Sequence, residues 1–226
     1  MKRAIFFDAA GTLIRLTKSV GTHYALVAAR QGLALEAAPL DRAFAETWRE
    51  MPLRPATGAP RADDDKGWWR DLVERLFERV APQVAPLERE RFFEAAYRHF
   101  AEPGVWELYP EVRTVLETLA PDFELAILSN FDGRLRLVCE HLTISKFFRH
   151  IFLSSELGAD KPDPLIYRRA LEISGFQPNE VLHAGDDPER DWAGAVAAGL
   201  KVFRLERPGN SLRDLLGAVA QRNESS

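Results

Sequence analysis

Four runs of β-branched and aromatic residues, each with a small or polar residue near its end, predict strands: Ala4–Asp8, Phe123–Asn130, Glu180–Asp186 and Lys201–Leu205. His150–Ser154 carries a fainter version of the same pattern. Between them, apolar positions recur at helical spacing. Pro110–Leu119 opens with proline at a permitted first-turn position, Arg134–His141 is short, and Pro164–Ile173 follows the Asp163-Pro164 pair. Asp191–Ala198 ends at Gly199, a helix stop. Leu212–Gln221 is the last helix, ahead of a polar tail, Asn223–Ser226, expected to fray.

Strands alternating with helices predict an α/β fold whose parallel sheet is covered by helices on both faces. The alternation breaks between the first strand and Glu107. There the signal is helical four times over: Val20–Gln31, Leu40–Met51, Gly67–Val80 and Leu87–Ala101. A Pro-, Gly- and Asp-rich stretch, Pro52–Lys66, separates the second from the third. The pattern therefore predicts a core of residues 1–14 and 104–226 carrying a four-helix insertion of residues 15–103. Asp63-Asp64-Asp65 reads as a solvated loop rather than a cation site.

Composition narrows the function. The 226 residues are 46% hydrophobic and 28% charged, ordinary for a globular protein. Net charge is −4 with no Lys/Arg stripe, which argues against a nucleic-acid or anionic-membrane surface. The first apolar run is cut short at Asp8, too early for a signal-peptide core or a membrane span. The single cysteine, Cys139, sits beside Leu137 and Val138 and reads as core filler. A lone cysteine fits a reducing, cytoplasmic setting.

The chemistry gathers at strand ends. In an open parallel sheet, ligands bind beyond the carboxyl ends of the strands. The first strand ends in Asp8, the second in Ser129-Asn130, and a later one in Gly185-Asp186-Asp187. Lys161 follows the fifth candidate strand, before a Pro-Asp-Pro turn. A single aspartate at a strand end is commonly a turn former. Several carboxylates and a lysine converging on one rim instead suit a hard, oxygen-ligated cation such as Mg²⁺.

These residues resemble the haloacid dehalogenase superfamily. Phe6-Phe7-Asp8-Ala9-Ala10-Gly11-Thr12-Leu13 resembles its first motif and Leu128-Ser129-Asn130 its second. Lys161-Pro162 resembles the third, and Gly185 to Asp191 the fourth. The resemblance implies a Rossmann-like core with a helical cap inserted after the first strand. Asp8 would be the nucleophile, with Ser129, Asn130, Lys161 and Thr12 around the transferred group of a small-molecule substrate. Mg²⁺ would be held by Asp8, the backbone carbonyl of Ala10 and Asp186. Asp187 or Asp191 would lie near the metal waters or orient neighbours. The cap would choose the substrate, with His23, Tyr24, Trp48, Arg49, Trp68 and Trp69 as candidates to face it. Most aromatics at helical spacing are core, Arg49 reads as a surface residue, and His23 as a partly exposed one.

One position departs from the pattern. Phosphatases of this superfamily carry a second aspartate, the general acid, where this chain has Ala10. Three readings stay open. The first is a Mg²⁺-dependent phosphatase of a small phosphorylated metabolite, acting through an aspartyl-phosphate, with reduced or substrate-restricted turnover. The second is a different reaction, resembling either haloacid dehalogenases or phosphonoacetaldehyde hydrolases. The latter need a cap lysine, and the insertion offers only Lys18 and Lys66, the second beside three aspartates. The third is a binder of phosphoryl ligands without turnover. The segments Asp8–Leu13, Ser19-Val20-Gly21, Tyr24 and Trp68-Trp69 also resemble a little-characterised branch of hydrolase-like proteins.

Overall fold

Strands in chain order are β1 (Arg3–Phe7), β2 (Ile14–Leu16), β3 (Trp106–Leu108), β4 (Phe123–Ser129), β5 (Phe148–Leu153), β6 (Val181–Gly185) and β7 (Lys201–Arg204). They come from a computed structural model that describes residues 3–223, so the tail after Asn223 lies outside the described residues. Five strands form one parallel sheet in the order β5-β4-β1-β6-β7. In β1, Ala4 to Phe7 are all buried, as expected for a central parallel strand covered on both faces. The α/β core with helices against a parallel sheet is as the alternation predicts. The chain builds outward from β1 to β4 and β5, then crosses to β6 and β7, so the order reverses beside β1. In open parallel sheets ligands bind beside such a reversal, beyond the carboxyl ends of the strands, and here Asp8 follows the carboxyl end of β1.

The described chain divides into two compact units. Of the described residues, one comprises those up to Arg15, Pro55–Arg61 and those from Leu108 onward; the other comprises Leu16–Arg54 and Ala62–Glu107. β2 and β3, which no run of apolar residues signalled, pair as a separate two-stranded sheet. In the helical unit lie α1 (Val20–Ala29), α2 (Ala37–Glu50), α3 (Lys66–Val80) and α4 (Pro86–His99). The sheet unit carries α5 (Val112–Leu119), α6 (Arg134–His141), α7 (Ser154–Leu157), α8 (Pro164–Ser174), α9 (Gly194–Ala197) and α10 (Leu212–Asn223). None of the described helices is long and apolar enough to cross a membrane.

Residues 55–61, which the helical pattern assigns to the insertion, pack within the sheet unit. The N–H groups of Thr57 and Gly58 donate to the Gly158 carbonyl at 2.9 and 3.1 Å, and Arg61 N–H donates to the Ser155 carbonyl at 2.8 Å. Arg61 also pairs with Asp160 at 3.2 Å. Helix α5 starts at Val112 rather than Pro110, with Glu111 as its N-cap residue. Cys139 is buried, and burial pushes its thiol up to about 12, so core filling describes it.

The helical unit closes on Tyr24, Leu40, Leu72, Leu76, Phe77 and Phe92. Trp48, Trp68 and Trp69 stack edge and face against one another, with ring centroids 5.2–5.7 Å apart, and serve packing. Arg49 is exposed. Two expectations fail here. Asp65 is not solvated: it is buried and pairs with Arg54 at 2.8 Å, because the chain turns left-handed at Asp64 and Asp65 to start α3. His23 is buried, not partly exposed, because its Nδ1 lies 3.0 Å from His99 Nε2, whose Nδ1 is 2.8 Å from Glu102 Oε2.

Burial pushes His23 down to about 4, with His99 and Lys18 adding repulsion. A folded-state value below the unfolded one means that the unfolded chain binds the proton first. Stability from the neutral imidazole is complete above the ordinary value of 6.5 and lost as pH falls toward about 4. His23→Asn keeps a polar atom near Nδ1 but cannot titrate. Thermal unfolding followed from pH 7 to about pH 4 should therefore show a shallower decline for His23→Asn than for wild type. Equal slopes would remove His23 from the acid sensitivity.

Candidate active site

The site grows from a buried lysine. Lys161 Nζ donates to Asp8 Oδ1 at 2.7 Å and to Asp191 Oδ1 at 2.6 Å. All three residues are buried. Asn130 fixes the lysine's backbone: Lys161 N–H donates to Asn130 Oδ1 at 2.6 Å, and Asn130 Nδ2 donates to the Lys161 carbonyl at 2.8 Å. Asn130 thus clamps the loop that presents the ammonium. Ser129 Oγ donates to Asp8 Oδ1 at 3.1 Å.

Asp8 leaves β1 with its N–H on the Ala184 carbonyl of β6, at 2.9 Å. The next residues make a tight turn. The N–H groups of Thr12, Leu13 and Ile14 all point at the Ala9 carbonyl, and Gly11 N–H reaches the Ile14 carbonyl. Gly11 adopts a φ of +92°, and a Cβ there would fall 2.4 Å from Asp186 Oδ2, so only glycine fits. Thr12, fully buried, donates its hydroxyl to Asp186 Oδ1 at 2.9 Å. Its role here is to orient that carboxylate. Ala10 is the exposed member of the turn.

Asp187 and Asp191 separate in role. Asp187 caps the helical turn Pro188–Ala193, accepting from the N–H groups of Glu189 and Arg190 at 2.9 and 2.8 Å. That turn begins at Pro188, ahead of the predicted Asp191 start, and continues into α9. Asp191 instead points inward. Its Oδ1 accepts from Lys161 and from His183 Nε2 at 2.9 Å, and its Oδ2 accepts from the Asp187 N–H at 3.0 Å. His183, buried within β6, was not singled out from the sequence. A polar residue inside the apolar run Val181–Gly185 was the available signal. Burial holds His183 below its ordinary value although Asp191 pulls the other way, so a neutral ring donates its Nε2–H to the carboxylate.

Ligand oxygens of Asp8, Asp186 and Asp191 lie within 4.8 Å of one another. Burial pushes Asp8 up to about 7; Lys161 opposes this, while Asp191 and Asp186 add to it. Asp186 is raised as well, by burial first and Asp191 after, against the pull of the Thr12 hydrogen bond. Burial would raise Asp191 too, but Lys161 and His183 outweigh it and hold it well below the carboxylate range. Burial would depress Lys161, but its two carboxylate partners outweigh that and keep it charged. One ammonium cannot balance three ionised carboxylates. The donor set therefore fits a hard divalent cation, with Asp8 and Asp186 the freer ligands because Asp191 is already held from both sides.

The model for the haloacid dehalogenase-like hydrolase family matches residues 2–199. The chain belongs to that family of hydrolases. It is 32% identical over 212 residues to haloacid dehalogenase-like hydrolase domain-containing protein 3 of Bos taurus, covering 91% of this chain and 82% of the relative. A phosphoserine phosphatase of Thermus thermophilus is 35% identical over 144 residues, 62% of this chain and 57% of that protein. Among solved structures, a defluorinating L-2-haloacid dehalogenase superposes with a TM-score of 0.75 at 23% identity, covering 92% of this chain and 82% of that one. At that identity the likeness is one of fold.

Lys161→Met would leave Asp8 and Asp191 facing each other without a cation. Removing one partner of a buried ion pair costs about 3–5 kcal/mol. Denaturant unfolding in the presence of a chelator, at neutral pH, should show a loss of that order. A loss below about 1 kcal/mol would mean that the carboxylates are not held apart by this ammonium.

Proposed function

We propose that this hydrolase is a Mg²⁺-dependent phosphatase of a small phosphorylated metabolite, working through an aspartyl-phosphate on Asp8, with turnover limited by Ala10. The observation that carries the reading is the cluster of Asp8, Asp186 and Asp191 around Lys161 at the carboxyl ends of β1 and β6. Asp8, Asp186 and the Ala10 carbonyl would hold the cation, and Mg²⁺ would there supply charge neutralisation for a phosphoryl group. An Asp8 carboxylate oxygen attacks phosphorus, the bond to the leaving oxygen breaks, and water later cleaves the acyl phosphate to return the carboxylate and release phosphate. Lys161 offsets the negative charge on nucleophile and phosphoryl group. Ser129 and the backbone near Asn130 would hold the transferred-group oxygens, with Thr12 holding Asp186 in place.

Ala10 sets the substrate range. It has no carboxyl to protonate the leaving oxygen or to activate water, a contribution of roughly 10²–10⁴-fold. Aryl and acyl phosphates, whose leaving groups depart unprotonated, are the preferred class. The absence of an acid also suits a carbon–halogen bond, since halide needs no proton, and the fold likeness to a dehalogenase keeps that second reading alive. The Thr12-oriented Asp186 favours the phosphoryl reading, because it adds a carboxylate that a metal would use. Binding of phosphoryl ligands without turnover is what would remain if hydrolysis were absent.

A substrate screen with Mg²⁺ tests the proposal. Wild type should hydrolyse an aryl or acyl phosphate, Asp8→Asn should not, and a chelator should stop the reaction. Activity equal to the Asp8→Asn background leaves the binder, and halide release from a 2-haloacid replaces the phosphatase. In the first step, phosphorylation of Asp8, Ala10→Asp should raise the rate with alkyl phosphates by about 10²-fold or more while changing that with aryl phosphates far less. Equal effects on both classes would mean that proton donation is not what Ala10 withholds.

A further inference from the structure

Behind the turn that follows Asp8 sits an arginine that no catalytic motif includes. Arg207 lies just beyond β7, yet its Nη2 donates to the Thr12 carbonyl at 3.1 Å and its Nε to the Gly11 carbonyl at 3.4 Å. The same Nη2 pairs with Glu111 Oε1 at 2.6 Å, and the guanidinium lies 3.7 Å from the centroid of the Tyr109 ring. Tyr109 is itself tied to the turn, its N–H donating to the Leu13 carbonyl at 3.2 Å. Glu111 is buried; burial would raise it, but its own N–H and the guanidinium outweigh that and hold it below the usual carboxylate range. The guanidinium thus lies over an aromatic ring, is hydrogen-bonded to an anion and points its fork at two consecutive carbonyls.

We propose that Arg207, held by Tyr109 and Glu111, is a positioning residue that locks the Asp8–Ile14 turn and thereby sets the Ala10 carbonyl and the Asp8 carboxylate for metal and substrate. The proposal rests on the reading of Asp8 and Ala10 as nucleophile and metal ligand. Its physical basis is that the turn's internal bonds run through the Ala9 and Ile14 carbonyls, whereas Gly11 and Thr12 are gripped from outside by one planar group. Gly11, with its left-handed φ, is where such a turn would otherwise relax. Outer partners of metal ligands typically change metal affinity or activity by about 10–100-fold when removed.

The test compares full-length wild type with Arg207→Met, Arg207→Lys and Arg207→Ala. Calorimetric titration with Mg²⁺ alone should show Arg207→Met binding about 10–100-fold more weakly. On an aryl phosphate its kcat should fall by a similar factor while KM stays near wild type. Hydrogen exchange at the Gly11, Thr12, Leu13 and Ile14 amides should quicken, with that of β6 unchanged. Arg207→Lys should recover only part, lacking the fork, and millimolar guanidinium should raise kcat of Arg207→Ala. Wild-type Mg²⁺ affinity and exchange in Arg207→Met, or a lowered melting temperature with both unchanged, overturns the proposal. If wild type neither binds Mg²⁺ nor hydrolyses phosphates, the phosphatase reading falls, and the exchange rates alone decide the clamp. If Arg207→Met does not fold, Glu111→Gln is read by the same titration and exchange, and wild-type values there reject it.

Discussion

One buried ammonium organises this site. Lys161 stands between Asp8 and Asp191 in a place where either carboxylate alone would be costly to ionise. The pairing explains why the rest is arranged as it is. Asn130 is spent on the lysine's backbone, His183 on the far side of Asp191, and Ser129 on Asp8. Each supports the geometry of one charge triad. The two partners are treated unequally: Lys161 and His183 hold Asp191 well below the carboxylate range, whereas burial pushes Asp8 up to about 7. An uneven division of one cation between two carboxylates is a familiar way of separating an anchor from a reacting group.

The pattern of the chain reveals the sheet because its three inner strands, β1, β4 and β6, are buried along almost their whole length and read as apolar runs, and Asp8 stands out where the first run stops. The Arg134–His141 helix is found with its observed ends, and Val20 is found as the start of α1. Short elements are a different matter. β2 and β3 have three residues each, too few for a periodicity to register. His23 and Asp65 mislead because a polar residue is normally read as exposed, and the partners that bury them, His99 and Arg54, lie far along the chain or beyond a left-handed turn. The site shows the same division. Asp8, Ser129, Lys161 and Asp186 are legible as strand-end chemistry. The capping role of Asp187, the inward turn of Asp191 and the Thr12 bond to Asp186 depend on side-chain directions that spacing does not contain.

Ala10 gives the account its particular shape. On the proposed phosphatase reading, Asp8 with a cation but no acid would take a phosphoryl group from a good leaving group and then part with it slowly, since water would have no base beside it. The expected consequence is an acyl-phosphate that builds up rather than passing unseen. The Gly11 conformation and the Asp186 packing against it mean that the turn tolerates little change elsewhere, so position 10, exposed, is where the chemistry can vary without rebuilding the loop.

Mass spectrometry of rapidly acid-quenched protein after exposure to acetyl phosphate and Mg²⁺ tests this most directly. One phosphoryl group is expected on Asp8, formed only with the metal, absent in Asp8→Asn, and shorter-lived in Ala10→Asp. No phosphoryl group on Asp8, or one attached to another residue, would contradict it.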